Sequence, residues 1–331
     1  MRRSSPMVLG AVLVALLAAC TSAPPKPEPA ATTPVPVVTE AQITTIMTAL
    51  TGTLEVADAA LDSDAVAARL EGPALDVRRA DYVVAAAGHE LSPVTIERDA
   101  RWTVVAQTTT WPRVVLVSTT QPDDLIGTAR ILVLRQDSPR DQYRLWGSAG
   151  LGSGISVPEM TVPEVGSQLL PPNHKNLPIL PADVLPWYAD VLKNGDASEH
   201  VESFVGTDKD GMRAGLEATR RKIGERIGNG PGKYEETIEA PEEPAVVLAT
   251  ADGGALVVGR LTTTVQVKEI DVGATADDPM MVRVAALAGG TLTSSMTWGY
   301  TDVVVFKVPP EATKPVVVVA YAHTVTSAAP L

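Results

Sequence analysis

Residues 57–87 read ADAALDSDAVAARLEGPALDVRRADYVVAAA, and the fold class turns on how this stretch is divided. Upstream of it, Ile43, Ile46, Met47, Leu50, Leu54 and Leu61 recur at steps of three and four, which predicts one long amphipathic helix. Thr39 and Gln42 have the spacing of a capping box at its start. Residues 64–70 read as a short helical piece. Gly72-Pro73 breaks it, and the proline suits the first turn of a third helix, ended by Gly88. Beyond Gly88 the chemistry changes to β-branched residues. Strands are predicted at 102–109, 113–119, 130–135 and 143–149, with turns at Pro122-Asp123-Asp124 and Asp137-Ser138-Pro139.

The plan then repeats. Residues 152–181 hold many prolines and no sustained period, so they read as a connector lying against the first half. PADVLPWYADVLKNG is a helix ended by Gly195, DASEHVESFV a short helical piece, and DKDGMRAGLEATRRKIGERI a third helix with Met212, Leu216, Ile223 and Ile227 on one side. Strands are predicted at 234–239, 245–250, 255–270, 280–287, 295–308 and 314–325, with a tight turn at Asp252-Gly253-Gly254. The expected class is α+β: two tandem cone-like domains, each three helices followed by a curved, mostly antiparallel sheet. The expected bounds are 39–151 and 181–331, with a Pro/Gly-rich connector at 152–180.

This order of elements resembles the cone-shaped fold of nuclear transport factor two and the SnoaL-like polyketide cyclases. That resemblance implies a bent sheet around a long helix, with a pocket at the open end. The segment from Ala57 to Ala87 is also similar to a recurring segment of uncharacterised actinobacterial lipoproteins, which carry "EGPAL" between an "LD" and an "A-x-Y". That family brings no assigned reaction with it.

The N-terminus supplies an address. Arg2 and Arg3 precede an uncharged apolar run from Met7 to Leu17, about eleven residues. A spanning helix needs roughly twenty, whereas a secretory signal does not. Leu17-Ala18-Ala19-Cys20 follows and looks like a bacterial lipobox. The resemblance implies removal of residues 1–19 as a signal peptide and diacylglycerol on the sulfur of Cys20, the one cysteine in the chain. Residues 20–38 are the lipidated cysteine and a Pro-rich tether. The eighteen residues after Cys20 reach up to roughly 55 Å when extended. The expected localisation is the extracytoplasmic face of the cell membrane, with membrane lipid as a partner through Cys20.

Composition excludes several classes. The chain carries 27 Lys and Arg against 39 Asp and Glu. Loss of Arg2 and Arg3 leaves 25 basic residues against 39 acidic ones, a net of −14. Such a body is a poor fit to nucleic acid. With Cys20 acylated no thiol remains for disulfides, thiolate metal sites or cysteine catalysis. Aromatics are only 4%, which argues against base-stacking platforms.

Four residues are pocket candidates. His200 lies between Glu199 and Glu202 and could be a general base at a pocket mouth, or part of a solvated helix face. His323 sits in the last strand. Arg283 interrupts MMVRVAAL, sharing a face with Met281 and Ala285 on strand alternation, and is either solvent-facing or a pocket cation. Trp298 could line a pocket or fill the core. GTDKDGMRAGLE only partly matches a calcium loop, because Gly206 replaces the first carboxylate; Asp208 and Asp210 otherwise suit a helix N-terminus. The glycine-rich GSAGLGSG, 147–154, does not open a helix and reads as a flexible exit from the first half. No cofactor, metal set or catalytic residue is assigned. The sequence therefore favours non-catalytic binding of an apolar small molecule or an envelope partner protein. The alternatives are a SnoaL-like pocket enzyme, hydrolase or isomerase, and a two-domain scaffold with closed pockets.

Overall fold

The computed structural model describes residues 36–89, 96–120, 128–227, 232–241, 243–269 and 278–331. The expected signal peptide, Cys20, the expected tether up to residue 35 and the expected turn at Pro122-Asp123-Asp124 lie outside them. Among the described residues no helix is long and apolar enough to cross a membrane.

The first half begins with α1 (Glu40–Ala60), α2 (Ser63–Val66) and α3 (Gly72–Ala86). The capping box at Thr39 and Gln42 is formed in both directions. Four antiparallel strands follow: β1 (Ala100–Gln107), β2 (Arg113–Thr119), β3 (Arg130–Gln136) and β4 (Arg144–Leu151). Residues 152–180 contribute the two-residue strand β5 (Ser167–Gln168). The second half has α4 (Pro181–Asn194), three 3-10 turns, α5 (Gly211–Ile227), then β6 (Lys233–Glu239), β7 (Val246–Ala249) and β8 (Ala255–Lys268). It ends with α6 (Pro279–Leu287), β9 (Met296–Val308) and β10 (Val317–Pro330).

The molecule is α+β, and its ten strands form one sheet in the order β5-β1-β2-β3-β4-β10-β9-β8-β6, with β7 also on β8. The two halves meet inside this sheet, where Ala320 and Tyr321 of β10 pair with Leu151 and Gly150 of β4. Residues 36–331 accordingly behave as one compact unit. Strand edges left bare are costly, and each half covers an edge of the other.

The connector completes the circuit. β5 pairs parallel with the end of β1. Leu169 bridges Leu248 of β7, and the Leu170 N–H donates to the Val247 carbonyl at 2.9 Å. The hydrogen-bonded path thus returns to β1, and the sheet closes around an apolar interior. Val104, Leu116, Ile131, Leu256, Val258 and Val305 are among the side chains that fill it. Neighbouring residues on the same strands point outward, as the period of two requires. Val105, Val115 and Leu132 face α1 to α3, and Val257, Val304 and Phe306 face α4 and α5. Gly147 of β4 lies close to β9: a Cβ there would be 3.3 Å from both γ carbons of Val303, tighter than ordinary contact.

Three expectations need correction. Residues 280–287 are a helix, not a strand. Asp278 caps it by accepting from the Met280 N–H at 2.9 Å, and Pro279 occupies its first turn. A short apolar run does not distinguish strand from helix by period alone. The glycines at 147 and 150 belong to β4 rather than to a flexible exit. The end of the presumed tether also joins the fold: the Val37 N–H donates to Ala106, Pro36 bridges Gln107, and Val38 is buried against α1.

Candidate functional site

The largest opening among those described is a groove of about 1000 Å³ between α1, the start of β1 and residues 155–163. Its apolar lining comes from Ile43 and Met47 on α1, Trp102 on β1, Leu151 on β4, and Ile155 and Met160 of the connector. Glu40, Arg98, Asp99 and Arg101 supply a rim of mixed charge. The local causes are plain. Ile43 and Met47 belong to the apolar stripe that packs α1 on the sheet, and they also border the groove. Pro158 and Pro163 lack the N–H that would let the connector zip onto the neighbouring strand. The chain therefore passes beside α1 and leaves a gap. A volume of this size, with Thr44, Thr103, Ser118, Ser156 and Thr161 interleaved among the apolar side chains, suits a small-molecule ligand of mixed character. No histidine lines the groove.

The second half holds a different constellation. His323 and Asp302 face each other across β10 and β9. His323 Nδ1 lies 2.7 Å from Asp302 Oδ1, and Thr263 Oγ1 donates to Asp302 Oδ2 at 2.9 Å. Asp302 is fully buried, and the imidazole stacks on Tyr300 with ring centres 3.8 Å apart. This is the orienting half of a proton-transfer dyad. The other half is missing among the described residues: Nε2 is buried and has no hydrogen-bond partner. None of the three openings described here is lined by His323.

The remaining candidates are dispersed. His200 precedes a 3-10 turn and stacks flat on Trp187, ring centres 4.4 Å apart, beside a polar opening of about 550 Å³ that Trp187 lines. Arg283 is neither solvent-facing nor a free pocket cation. It sits on α6, its Nη1 is 2.8 Å from Asp81 Oδ1 on α3, and its Nε donates to the Val325 carbonyl at 2.6 Å. Burial is the larger influence on the Asp81 carboxyl and raises it above the ordinary value, against the pull of Arg283. Trp298 is core, 1% exposed among Val265, Val267, Met281 and Met296. Asp210 accepts from the N–H groups of Met212 and Arg213, both at 3.1 Å, so it caps α5. Among the described residues no group of His, Cys, Asp and Glu is arranged to hold a metal ion.

Sequence reasoning missed Asp302 and the groove for different reasons. Asp302 interrupts the apolar strand WGYTDVVVFKV at a position whose neighbours two away are Tyr300 and Val304, both buried beneath the helices. A charge at that parity was a readable signal. Ile155 and Met160 lie in a segment without period, and nothing local marks them.

No curated protein matches the chain, and no solved structure does. One family model, described as Domain of unknown function (DUF8094), matches residues 34–330. That span runs from the docking of Pro36 on β1 to the last residue of β10, so it covers the whole closed sheet and its helices. The protein belongs to the DUF8094 family.

Proposed function

We propose that this is a lipid-anchored protein of the extracytoplasmic cell envelope that binds an apolar small molecule without transforming it. The observation that carries the reading is the groove of about 1000 Å³ with Ile43, Met47, Trp102, Leu151, Ile155 and Met160 on its walls. The lipobox at Leu17-Ala18-Ala19-Cys20 supports the address. We read each half as one cone-like unit of the nuclear transport factor two kind, within a lipoprotein family of actinobacterial type. What supports a reading of two like halves is the sharing of helices, with α1 to α3 packed on β1 to β4 and α4 and α5 on β8 to β10; these helices lie on the outer face of the sheet rather than inside a bent one.

The test uses 1-anilinonaphthalene-8-sulfonate as probe. Saturable fluorescence enhancement is expected, and Met160→Trp, which fills the groove from a partly exposed position, should reduce it at least tenfold while leaving the thermal midpoint within a few degrees. Undiminished binding in a folded Met160→Trp protein would overturn the groove as the site. One observation favours a second reading, a pocket enzyme: the Asp302–His323 pair with its unsatisfied Nε2. Under that reading a proton-bearing ligand would have to reach Nε2.

A further inference from the structure

Where α3 passes between β4 and β10, a small cavity of about 60 Å³ remains. Its polar lining is Arg78, Asp81, Arg130, Ser148, Thr301 and Thr324. The charges around it do not balance. Arg78 is paired with Asp58 at 3.2 Å, and Asp81 with Arg283 at 2.8 Å. Among the described residues Arg130 of β3 has no carboxylate partner. Its Nε donates to Ser148 Oγ at 2.6 Å and its Nη2 to the Ser148 carbonyl at 3.3 Å. A guanidinium carries five N–H donors, so Nη1 and part of Nη2 are left over. The Ser148 hydroxyl accepts from Arg130, which frees its own hydrogen to donate.

Burial, with Arg78 close by, pulls the Arg130 guanidinium down to about 10. Arg130 is half-buried beside the cavity, and a cation there without a counter-charge favours an anion or water next to it. Every other charged group at the cavity already has its counterpart. The space is small: a water takes about 30 Å³ of liquid volume, so one or two such particles fit.

We propose that this cavity is a binding site for a monovalent inorganic anion of halide size, held by Arg130 and the Ser148 hydroxyl between the two halves. Arg78 adds to the positive field, and Thr324 offers a further hydroxyl. The Asp81 carboxylate is the one repulsive group at the site, and Arg283 holds it. An ion there would tie β3 and β4 of the first half to β9 and β10 of the second through one shared charge, so binding would stabilise the closed sheet.

Two measurements test this. In crystals of the full chain soaked in sodium bromide, an anomalous peak is expected in the cavity, within hydrogen-bond distance of Arg130. In solution, replacing sodium gluconate by sodium chloride at constant ionic strength should raise the wild-type melting temperature saturably by several degrees. Arg130→Met should abolish that rise. Arg130→Lys, which keeps a charge but loses the fork, should need at least tenfold more chloride for the same effect. A cavity without a bromide peak, or chloride responses equal in wild type and both variants, would mean that the cavity holds water only, and the proposal would fail.

Discussion

At the scale of single residues, Asp210 shows how a cap becomes part of a core. Its helix-start chemistry was readable from GTDKDGM, and it does accept from two α5 N–H groups. Its second duty was not readable. The buried Tyr188 hydroxyl donates to both of its oxygens, at 3.1 and 3.0 Å, from 22 residues away. Burial raises the Asp210 carboxyl above its ordinary 3.8, outweighing the donors that favour its charge. The folded protein therefore holds a proton here at pH values where the unfolded chain has lost it, and this group's contribution to stability falls as pH rises from 3.8 through the raised value. Asp210→Asn keeps an oxygen for the cap and removes the charge. The difference in melting temperature, variant minus wild type, should move in favour of the variant between about pH 4 and pH 7. A difference that stays constant, or moves the other way, would show that burial does not govern this carboxyl.

Among elements, α3 and α6 are the informative pair. The alternation in MMVRVAAL predicted a strand with Arg283 on one side; the helical turn instead aims Arg283 at Asp81, 202 residues earlier in the chain. Asp76 of α3 reaches Arg260 of β8 at 3.0 Å, so one helix of the first half holds two cations of the second. The side chains of Asp81 and Arg283 are 10% and 13% exposed, and removing one partner leaves the other buried and unpaired. Asp81→Asn and Arg283→Gln should each cost on the order of 3 kcal/mol, and the double variant clearly less than their sum. Urea unfolding of the four proteins measures this. Strict additivity would mean that the pair contributes no coupling between the halves.

For the whole molecule, the described fold begins at Pro36, after the proposed tether. The chain joins the fold at Pro36–Val38 on the far end of β1, five residues along from Trp102 in the groove, or about 17 Å of strand. Cys20→Ser expressed in the host should abolish labelled fatty-acid incorporation and move the protein from the membrane to the soluble fraction. A variant that stays with the membrane and never carried label would show that Cys20 is not the anchor.

What the sequence determined by itself is the local alphabet of this protein. Helical spacing, caps and β-branched runs placed α1, α3, α4, α5 and most strands, because those signals act over a few residues. The α+β class followed from their order. Only the tertiary structure decided that β4 pairs with β10, that Leu169 bridges β7 to close the sheet, and that Arg130 is left without a carboxylate. Those facts depend on partners far apart in the chain, and on which strand edge, apolar face or charge remains unmatched once all the others have paired.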